Sequence, residues 1–489
     1  MSRYQKAMWS LLVALMAFLS LSFDLLAEEC TSWVISGDWM AGEYNKTILH
    51  KNRDKERARQ VVIRAPRLPY ESNSRDPEID DHLYAYLAIV SNGDSNQVAA
   101  GINEHGLAVA NNYIAGIFVP SLWAHGTLTL NRMILEYCKT VEEAYLFIDQ
   151  ICQDNMIMTG GALFLADPHQ AAVIEHFGKN YTSHEQSIVV DGARARSNDF
   201  TVLQGGLGGG DDVRLRYEHA VEFLDEREGD LRATDCFELS RQHHVLPSGK
   251  ASLNDGSICN YPKNGSNSGS TLFGATFVID RQDPALSCMW VALGTPDTAI
   301  YTPIHLTALS WSGAGHGGGF VENDIGKVIH SSLTSVEIYN LAETIRKNNI
   351  EQFKSEDDLG MGRLTPCFTA IESKIMTQVI EAEEQARNDS GGAEEILSRF
   401  DIETADSILE KMTALAAGKV DEACNIEPAP GAEEDTESTH DTEDDAGNSS
   451  ESDIDGGSQQ DSENSCACTS IGRHRESPFE SFARAIAFF

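Results

Sequence analysis

CTSWVI, residues 30–35, places a cysteine and alternating apolar residues directly behind what reads as a secretory leader. Arg3 and Lys6 give the leader a short positive start, residues 8–23 are almost entirely apolar, and a small residue follows as a cleavage point. The sequence therefore predicts an exported protein, secreted or periplasmic, with residues 1–27 as its signal peptide.

Cleavage at the end of the leader leaves two glutamates, residues 28–29, as a short propeptide ahead of Cys30. Their removal, which the cysteine itself could catalyse, would make Cys30 the first residue of the mature chain. An uncleaved membrane anchor is the alternative, since the apolar run is only slightly shorter than the roughly 20 residues of a spanning helix. A lipid-modified Cys30 would need a small residue in place of Glu29. We expect no stable membrane anchor after leader cleavage.

An N-terminal cysteine carries both a nucleophile and a base. A free thiol has a pKa near 8.5 and is mostly protonated at neutral pH, whereas an α-amine with a pKa of about 7.7–8.0 can accept its proton. Thr31 and the alternating apolar residues Trp33 and Ile35 indicate a strand that would hold Cys30 on a rigid element. These features predict that Cys30 is a catalytic nucleophile.

Composition argues against one class of function, nucleic-acid binding. The chain has 489 residues, 41% of them hydrophobic, which is enough for a large globular core with appendages. The formal net charge of −38 argues against nucleic acid as a partner, because phosphate binding needs a clustered basic face.

Much of the negative charge lies in one segment near the C-terminus. Residues 421–465 contain 16 acidic residues and no Lys or Arg, which predicts a solvated, disordered segment. Residues 466–489 form a C-terminal tail that becomes basic and aromatic. The ten cysteines are widely spaced, and their pairing cannot be read from the sequence.

Short β-rich runs separated by turn signals alternate with helical patterns. Residues 163–177 and 276–293 each read as a hairpin, while residues 128–152 and 211–224 have the apolar spacing of helices. Residues 332–420 are mostly helical and charged. The pattern predicts antiparallel sheets covered by helices.

Five motifs, taken together, make the chain resemble the N-terminal-nucleophile (Ntn) cysteine hydrolases. This superfamily includes the penicillin acyltransferase-like and carcinine hydrolase-like amidases, the bile-salt and penicillin V acylases, and related dipeptidases. The motifs occur in the order that the family shows and extend over roughly Cys30 to Pro303. They are CTS (30–32), KNRD (51–54), GINEHGL (101–107) with Asn111 and Asn112 after it, RSNDF (196–200), and the run from SIC (257–259) to WVALGTP (290–296).

The resemblance implies an α+β fold, a four-layer αββα sandwich of two antiparallel sheets, with Cys30 at the end of a central strand. It places the Ntn hydrolase domain at residues 30–330 and leaves residues 331–420 as a helical C-terminal extension. It requires neither a metal nor an organic cofactor. We accordingly expect no metal site at the neighbouring histidines His243 and His244, which lack ligand partners at suitable sequence spacing.

The resemblance also implies a cation and a carboxylate near the nucleophile. Asp54 follows Cys30 by 24 residues, a separation expected of a hairpin, and would contact the amine of Cys30 or the substrate. The family has an arginine three residues before this aspartate, where the chain has Lys51. Arg53 is the alternative cation.

Two asparagines and an arginine complete the expected site. Asn112 is the candidate donor to the oxyanion, with Asn111 as the alternative because strand register decides which of them faces the site. Asn198 matches the second asparagine of the family. Arg214 is the candidate arginine at the start of the following helix, and Arg216 is the alternative.

The sequence thus predicts an exported amidohydrolase that cleaves C–N bonds of small-molecule amides or short peptides through a thioester on Cys30. Three alternatives stay open: a dipeptidase of the same superfamily, an acyltransferase that passes the acyl group to an amine, and an inactive acidic binding or scaffold protein with this fold.

Overall fold

The computed structural model describes most of the chain between Cys30 and Cys424. The described residues are 30–41, 45–55, 58–65, 68–69, 82–94, 96–118, 126–154, 159–203, 210–245, 252, 256–261, 270–309, 320–321, 330–356, 364–389 and 391–424. The predicted signal peptide and propeptide, nearly all of the acidic segment 421–465, and the tail 466–489 lie outside them. So do residues 204–209 and 316–319. The described residues all belong to one compact unit.

The first sheet has six described strands, and every neighbouring pair is antiparallel. Its spatial order is β13-β1-β2-β14-β15-β16. Their bounds are β1 Cys30–Ser36, β2 Lys46–Lys55, β13 Gly192–Arg196, β14 Ser270–Asp280, β15 Cys288–Leu293 and β16 Thr302–His305.

The second sheet has ten described strands in the order β11-β10-β9-β8-β7-β6-β3-β18-β17, with β12 paired to β10. Their bounds are β3 Gln60–Ala65, β6 Tyr86–Ser91, β7 Val98–Asn103, β8 Ala108–Phe118, β9 Thr159–Ala166, β10 Ala171–Phe177, β11 Asn180–Tyr181, β12 Ile188–Val189, β17 Phe320–Val321 and β18 His330–Ser332. A separate pair joins β4 Leu68–Pro69 to β5 His82–Leu83.

Nine α-helices accompany the sheets in the described part of the chain. They are α1 Thr127–Tyr137, α2 Val141–Gln153, α3 His184–Ser187, α4 Asp211–Asp225, α5 Ala233–Ser240, α6 Leu333–Glu356, α7 Thr365–Asn388, α8 Ala393–Ala416 and α9 Val420–Cys424. The helical pattern predicted at 128–152 is two helices, because the chain turns between them and the Thr140 side chain caps the second by accepting a hydrogen bond from the Glu143 amide.

The two sheets pack face to face between helices, which confirms the predicted fold class. Strands β1 and β2 contact β8, β9 and β10 across the interface between the sheets. Helices α1 and α2 contact the second sheet, while α4 and α5 contact the first. Side chains such as Val34, Leu49 and Phe164 are fully buried, and burial of such a side chain contributes roughly 1.5–3 kcal/mol.

The C-terminal helices α6 to α9 pack on the sandwich. Helix α6 contacts β3 and β15, and α8 contacts β16. A buried ion pair of Arg241 with Glu372, 2.5 Å long, joins the end of α5 to α7. A disulfide between Cys367 and Cys424 links α7 to α9. No helix among the described residues is both long and apolar enough to span a membrane.

Candidate active site

Cys30 is the first residue of β1 and is buried, with 1% of its surface exposed. In the antiparallel pair of β1 and β2, Cys30 lies directly opposite Arg53, and Ser32 lies opposite Lys51. Residues that face each other across such a pair project from the same side of the sheet. Ser32 donates a hydrogen bond of 2.7 Å to Asn112 of the second sheet, so this side faces the interior of the sandwich.

The backbone nitrogen of Cys30 is bound by Asn198, two residues beyond the end of β13. It donates a hydrogen bond of 2.5 Å to Asn198 Oδ1, and Asn198 Nδ2 in turn donates one of 2.6 Å to the carbonyl of Tyr113. Asn198 therefore joins the start of β1 to β8. This is the position at which a mature α-amine would lie.

Arg216, on α4, contacts both the start of β1 and Asn198. Its Nη1 donates to the Cys30 carbonyl at 3.0 Å, to Thr31 Oγ1 at 3.2 Å and to Asn198 Oδ1 at 3.2 Å. The Arg216 side chain is fully buried, and Nη2 lies 3.4 Å from the carboxylate of Asp212. A permanently charged guanidinium therefore lies beside the backbone of Cys30.

The structure corrects the choice of Arg214 as the site arginine. Arg214 has 56% of its side chain exposed and pairs with Asp211 and Glu218 on the surface of α4. Two residues along a helix project about 200° apart, so Arg214 and Arg216 cannot share a face. The alternative, Arg216, is the arginine that contacts Cys30.

Lys51 and Asn112 contact each other between the sheets. Lys51 Nζ donates to Asn112 Oδ1 at 2.9 Å and also to the backbone carbonyl of Asn111. The Asn112 amide donates to the carbonyls of Arg196 at 2.9 Å and Ser197 at 3.1 Å, which uses both of its hydrogens. Asn112 therefore positions the strand that leads to Asn198, and in this arrangement its amide is not presented to Cys30 as an oxyanion donor.

Strand register settles which of the two neighbouring asparagines faces the interior. Asn111 Oδ1 accepts a hydrogen bond of 2.7 Å from Asn131 on α1, the helix that covers the outer face of the second sheet. Asn112 faces the first sheet, where Ser32 and Lys51 contact it. The sequence-based preference for Asn112 over Asn111 on the inner face agrees with this geometry.

Asp54 is fully buried and is bound by residues of a third segment. Its Oδ2 accepts from Asn260 Nδ2 at 2.5 Å, and its Oδ1 accepts from Thr271 Oγ1 at 2.6 Å. Strand alternation places Arg53, and not Asp54, on the side of the sheet from which Cys30 projects. Arg53 is thus the cation of β2 directly across from Cys30. The sequence motif gave it second place to Lys51 because cross-strand register is not visible in the sequence.

Glu175 is a residue that sequence reasoning missed. Its carboxylate is fully buried on β10 and accepts hydrogen bonds from Arg196 Nε at 2.8 Å and from the amides of Thr201 at 3.0 Å, Val202 at 2.9 Å and Leu203 at 2.8 Å. Burial alone would raise the pKa of Glu175, but these amides and the ion pair with Arg196 outweigh it and hold the pKa below its ordinary value. Glu175 thereby fixes the turn that follows Asn198. A lone glutamate in a strand carries no sequence signal for this role.

His243 does have neighbours with ligand atoms, contrary to the expectation from its sequence spacing. Cys259 and Asp297 lie beside it. Residues 204–209 and the histidine at position 316 lie outside the described residues.

The family model described as acyl-coenzyme A:6-aminopenicillanic acid acyl-transferase matches residues 43–297, just over half of the chain. The match includes the segments that carry Lys51, Asp54, Asn112, Asn198 and Arg216, and it begins after Cys30. A search of curated proteins found no match to the chain.

Solved structures that resemble the chain include an acylase and a hydrolase. Penicillin V acylase from Agrobacterium tumefaciens is 16% identical, with a TM-score of 0.36; the match covers 57% of this chain and 86% of that one. A variant of conjugated bile acid hydrolase from Clostridium perfringens is 14% identical, with a TM-score of 0.37; the match covers 62% of this chain and 96% of that one.

Proposed function

The chain belongs to the acyl-coenzyme A:6-aminopenicillanic acid acyl-transferase family, and we propose that it is an exported Ntn amidohydrolase whose mature N-terminal residue is Cys30. Its substrates are small acylated amides or short peptides. The observation that carries this proposal is the binding of the Cys30 backbone nitrogen by Asn198, with Arg216 on the neighbouring carbonyl.

The proposed reaction needs only groups of this chain and water. The α-amine of Cys30 accepts the thiol proton as the sulfur attacks the substrate carbonyl. The ammonium then returns that proton to the leaving amine as the C–N bond breaks, which leaves an acyl thioester on Cys30. Water, deprotonated by the same amine, attacks the thioester and releases the acid and the free thiol.

The surrounding residues suit the two roles of Cys30. Asn198 Oδ1 can accept a hydrogen bond from the α-amine in either protonation state, so it orients the amine toward the sulfur. Arg53 lies directly across from Cys30 in the strand pair, and the Arg216 guanidinium donates to the Cys30 carbonyl, so two positively charged side chains flank the residue that reacts. Because Asn112 is fully engaged, the oxyanion donor in this proposal is a second amide or backbone group near Cys30.

Two measurements test the proposal. Intact mass and N-terminal sequencing of exported protein should show a chain that starts at Cys30. The purified protein should hydrolyse members of a panel of acyl amides, Cys30→Ala should abolish that activity, and Cys236→Ser, which changes another buried cysteine, should retain it. A fully active protein that keeps residues in front of Cys30 would refute the proposed base.

Acyl transfer is a second candidate, which the family description favours. A thioester on Cys30 can be attacked by an amine in place of water. Adding a series of amines to the hydrolysis reaction and measuring the ratio of new amide to free acid distinguishes the two. A transferase produces more amide than acid at millimolar amine, whereas a hydrolase produces acid throughout.

The proposal of export has support from the leader sequence and from the disulfide between Cys367 and Cys424, since stable disulfides form mainly in oxidising compartments. Expression with and without residues 1–27, followed by fractionation, tests it. Retention of the intact, uncleaved chain in the membrane fraction would instead support the anchor.

A further inference from the structure

A second group of reactive side chains lies apart from Cys30, at the end of α5. Among the described residues, His243, Cys259 and Asp297 form a cluster in which the imidazole nitrogen, the thiol sulfur and a carboxylate oxygen all lie within 4.8 Å of one another. Cys259 and Asp297 are buried, and the His243 side chain is 12% exposed. None of the three has a role in the proposed hydrolysis.

Three separate chain segments meet in this cluster, and contacts outside the ligand side chains hold them together. The Cys259 amide donates to the Gln242 carbonyl at 3.1 Å, next to His243. Arg241 Nε donates to the Pro296 carbonyl at 2.9 Å, next to Asp297. One main-chain hydrogen bond and one buried arginine side chain therefore bring the three segments together independently of the ligand side chains.

The cluster leaves one polar atom unsatisfied. His243 Nε2 lies 3.3 Å from Asp297 Oδ2, while Nδ1 is buried and makes no hydrogen bond within the described structure. Tyr261 donates its hydroxyl to the carboxylate of Asp297, at 2.9 and 2.8 Å from the two oxygens, and so fixes the orientation of that carboxylate. Hydrogen-bonded partners that orient ligands in this way commonly surround metal ions.

We propose that His243, Cys259 and Asp297 bind a divalent transition-metal ion, with zinc as the best chemical match. One nitrogen, one thiolate and one carboxylate form a mixed ligand set that suits Zn²⁺ and excludes Mg²⁺ or Ca²⁺, which prefer oxygen alone. Tetrahedral Zn²⁺ with bonds of about 2.0–2.3 Å requires ligand atoms roughly 3.3–3.6 Å apart, so small rotations of these side chains complete the site. A water would fill the fourth position.

The role of the ion is structural: it stabilises the chain segment that packs against strand β2. The segment that carries Cys259 also carries Asn260, which binds Asp54, and Ile258, whose carbonyl accepts a hydrogen bond of 3.1 Å from Asn52. By binding His243 and Asp297 as well, the ion therefore fixes residues 258–260. These residues contact β2 on the face opposite to the one from which Cys30 projects. This role does not depend on the reaction that the protein catalyses.

Metal binding in this cluster is coupled to protonation. A metal-bound thiol loses its proton, so binding releases a proton and weakens as the pH falls.

The test measures metal binding directly, on the full-length protein stripped with a chelator and then exposed to Zn²⁺ or Co²⁺. The wild type should retain about one equivalent of Zn²⁺ after dialysis, show a thiolate-to-cobalt charge-transfer band with Co²⁺, and gain thermal stability with Zn²⁺. Cys259→Ser should lose the cobalt band and the stabilisation, and His243→Ala should bind Zn²⁺ at least tenfold more weakly.

Matched variants separate this site from other thiols of the chain. His244→Ala, Cys236→Ser and the double change Cys466→Ser with Cys468→Ser should each keep the ion. The proposal fails if the wild type retains no zinc and shows no cobalt band, or if Cys259→Ser binds like the wild type, which would mean an adventitious ion only. If Cys259→Ser does not fold, the wild-type cobalt band and the Asp297→Asn variant decide the question.

Discussion

The backbone nitrogen of Cys30 donates a hydrogen bond to the side chain of Asn198, a residue 168 positions further along the chain. The two residues meet because β1 and β13 are neighbours in the first sheet, so the start of one strand lies at the end of the other. Arg216 contacts both of them.

Arg216→Gln should lower kcat/KM by roughly 10- to 150-fold, since hydrogen bonds from a charged donor are worth about 1.5–3 kcal/mol. The change removes the buried charge that contacts the Cys30 carbonyl, Thr31 and Asn198. Steady-state kinetics on an acyl-amide substrate measures the effect. Arg214→Gln, two residues away on the exposed face of α4, is the control and should leave activity unchanged. Equal losses in the two variants would contradict the placement of Arg216.

Glu175→Gln should loosen the turn after Asn198 and lower kcat more than it raises KM. The neutral amide cannot offset the buried charge of Arg196 or accept all the hydrogen bonds from residues 201–203, and leaving a buried charge unpaired costs roughly 3–5 kcal/mol. Chemical denaturation and kinetics on the same variant separate folding from activity. The exposed Glu185→Gln should change neither quantity.

Folding stability should fall as the pH rises from about 6.5 to 9, because of His305. Burial lowers the pKa of His305, but the ion pair with Asp401, 2.7 Å long, and contacts with Glu383 outweigh it and raise the pKa to about 9. A raised pKa stabilises the fold fully below the unfolded value near 6.5, and this contribution, about 3 kcal/mol, is lost as the pH rises through 9. Lys46, Asp280 and Arg387 complete the set of charges around this contact.

Denaturation of the wild type and of His305→Asn between pH 6 and pH 9.5 measures this contribution, because asparagine can still bind Asp401 but does not titrate. The wild type should lose more stability over this range than the variant. At low pH, folding stability instead falls as the pH decreases, because of Glu383. Burial alone would raise the pKa of Glu383, but its contacts with His305 and Lys46 lower it, so its contribution disappears as the pH falls below about 4.5. Parallel curves for the two proteins above pH 6.5 would rule out the role of His305.

Reduction of the disulfide should destabilise the C-terminal helices. Cys367 and Cys424 are 57 residues apart, and a cross-link over such a loop is worth roughly 4 kcal/mol in the chain-entropy model. Urea denaturation with and without reductant measures the loss. A variant with serine at both positions should be as unstable as the reduced wild type and should not respond to reductant. A response in that variant would point to a different disulfide.

Local patterns predicted a large part of the fold. The hairpin at residues 163–177 is β9 and β10, and the helix expected at 211–224 is α4, because alternation and helical spacing are properties of adjacent residues. The motif order was enough to identify the superfamily and the αββα layers. The break of the helical pattern at Thr140 was missed, since a cap depends on where the chain has to turn.

Sequence pattern alone was enough to place Cys30 at the start of a strand and to assign Asp54, Asn112 and Asn198 to motifs whose order resembles that of one superfamily. The packed structure was needed to show that Arg216 and not Arg214 contacts Cys30, that Arg53 lies across from Cys30, and that Asn112 binds the backbone carbonyls of Arg196 and Ser197. The face on which a side chain lies depends on helical phase and on the register between strands far apart in the chain, and neither is fixed until the two sheets pack.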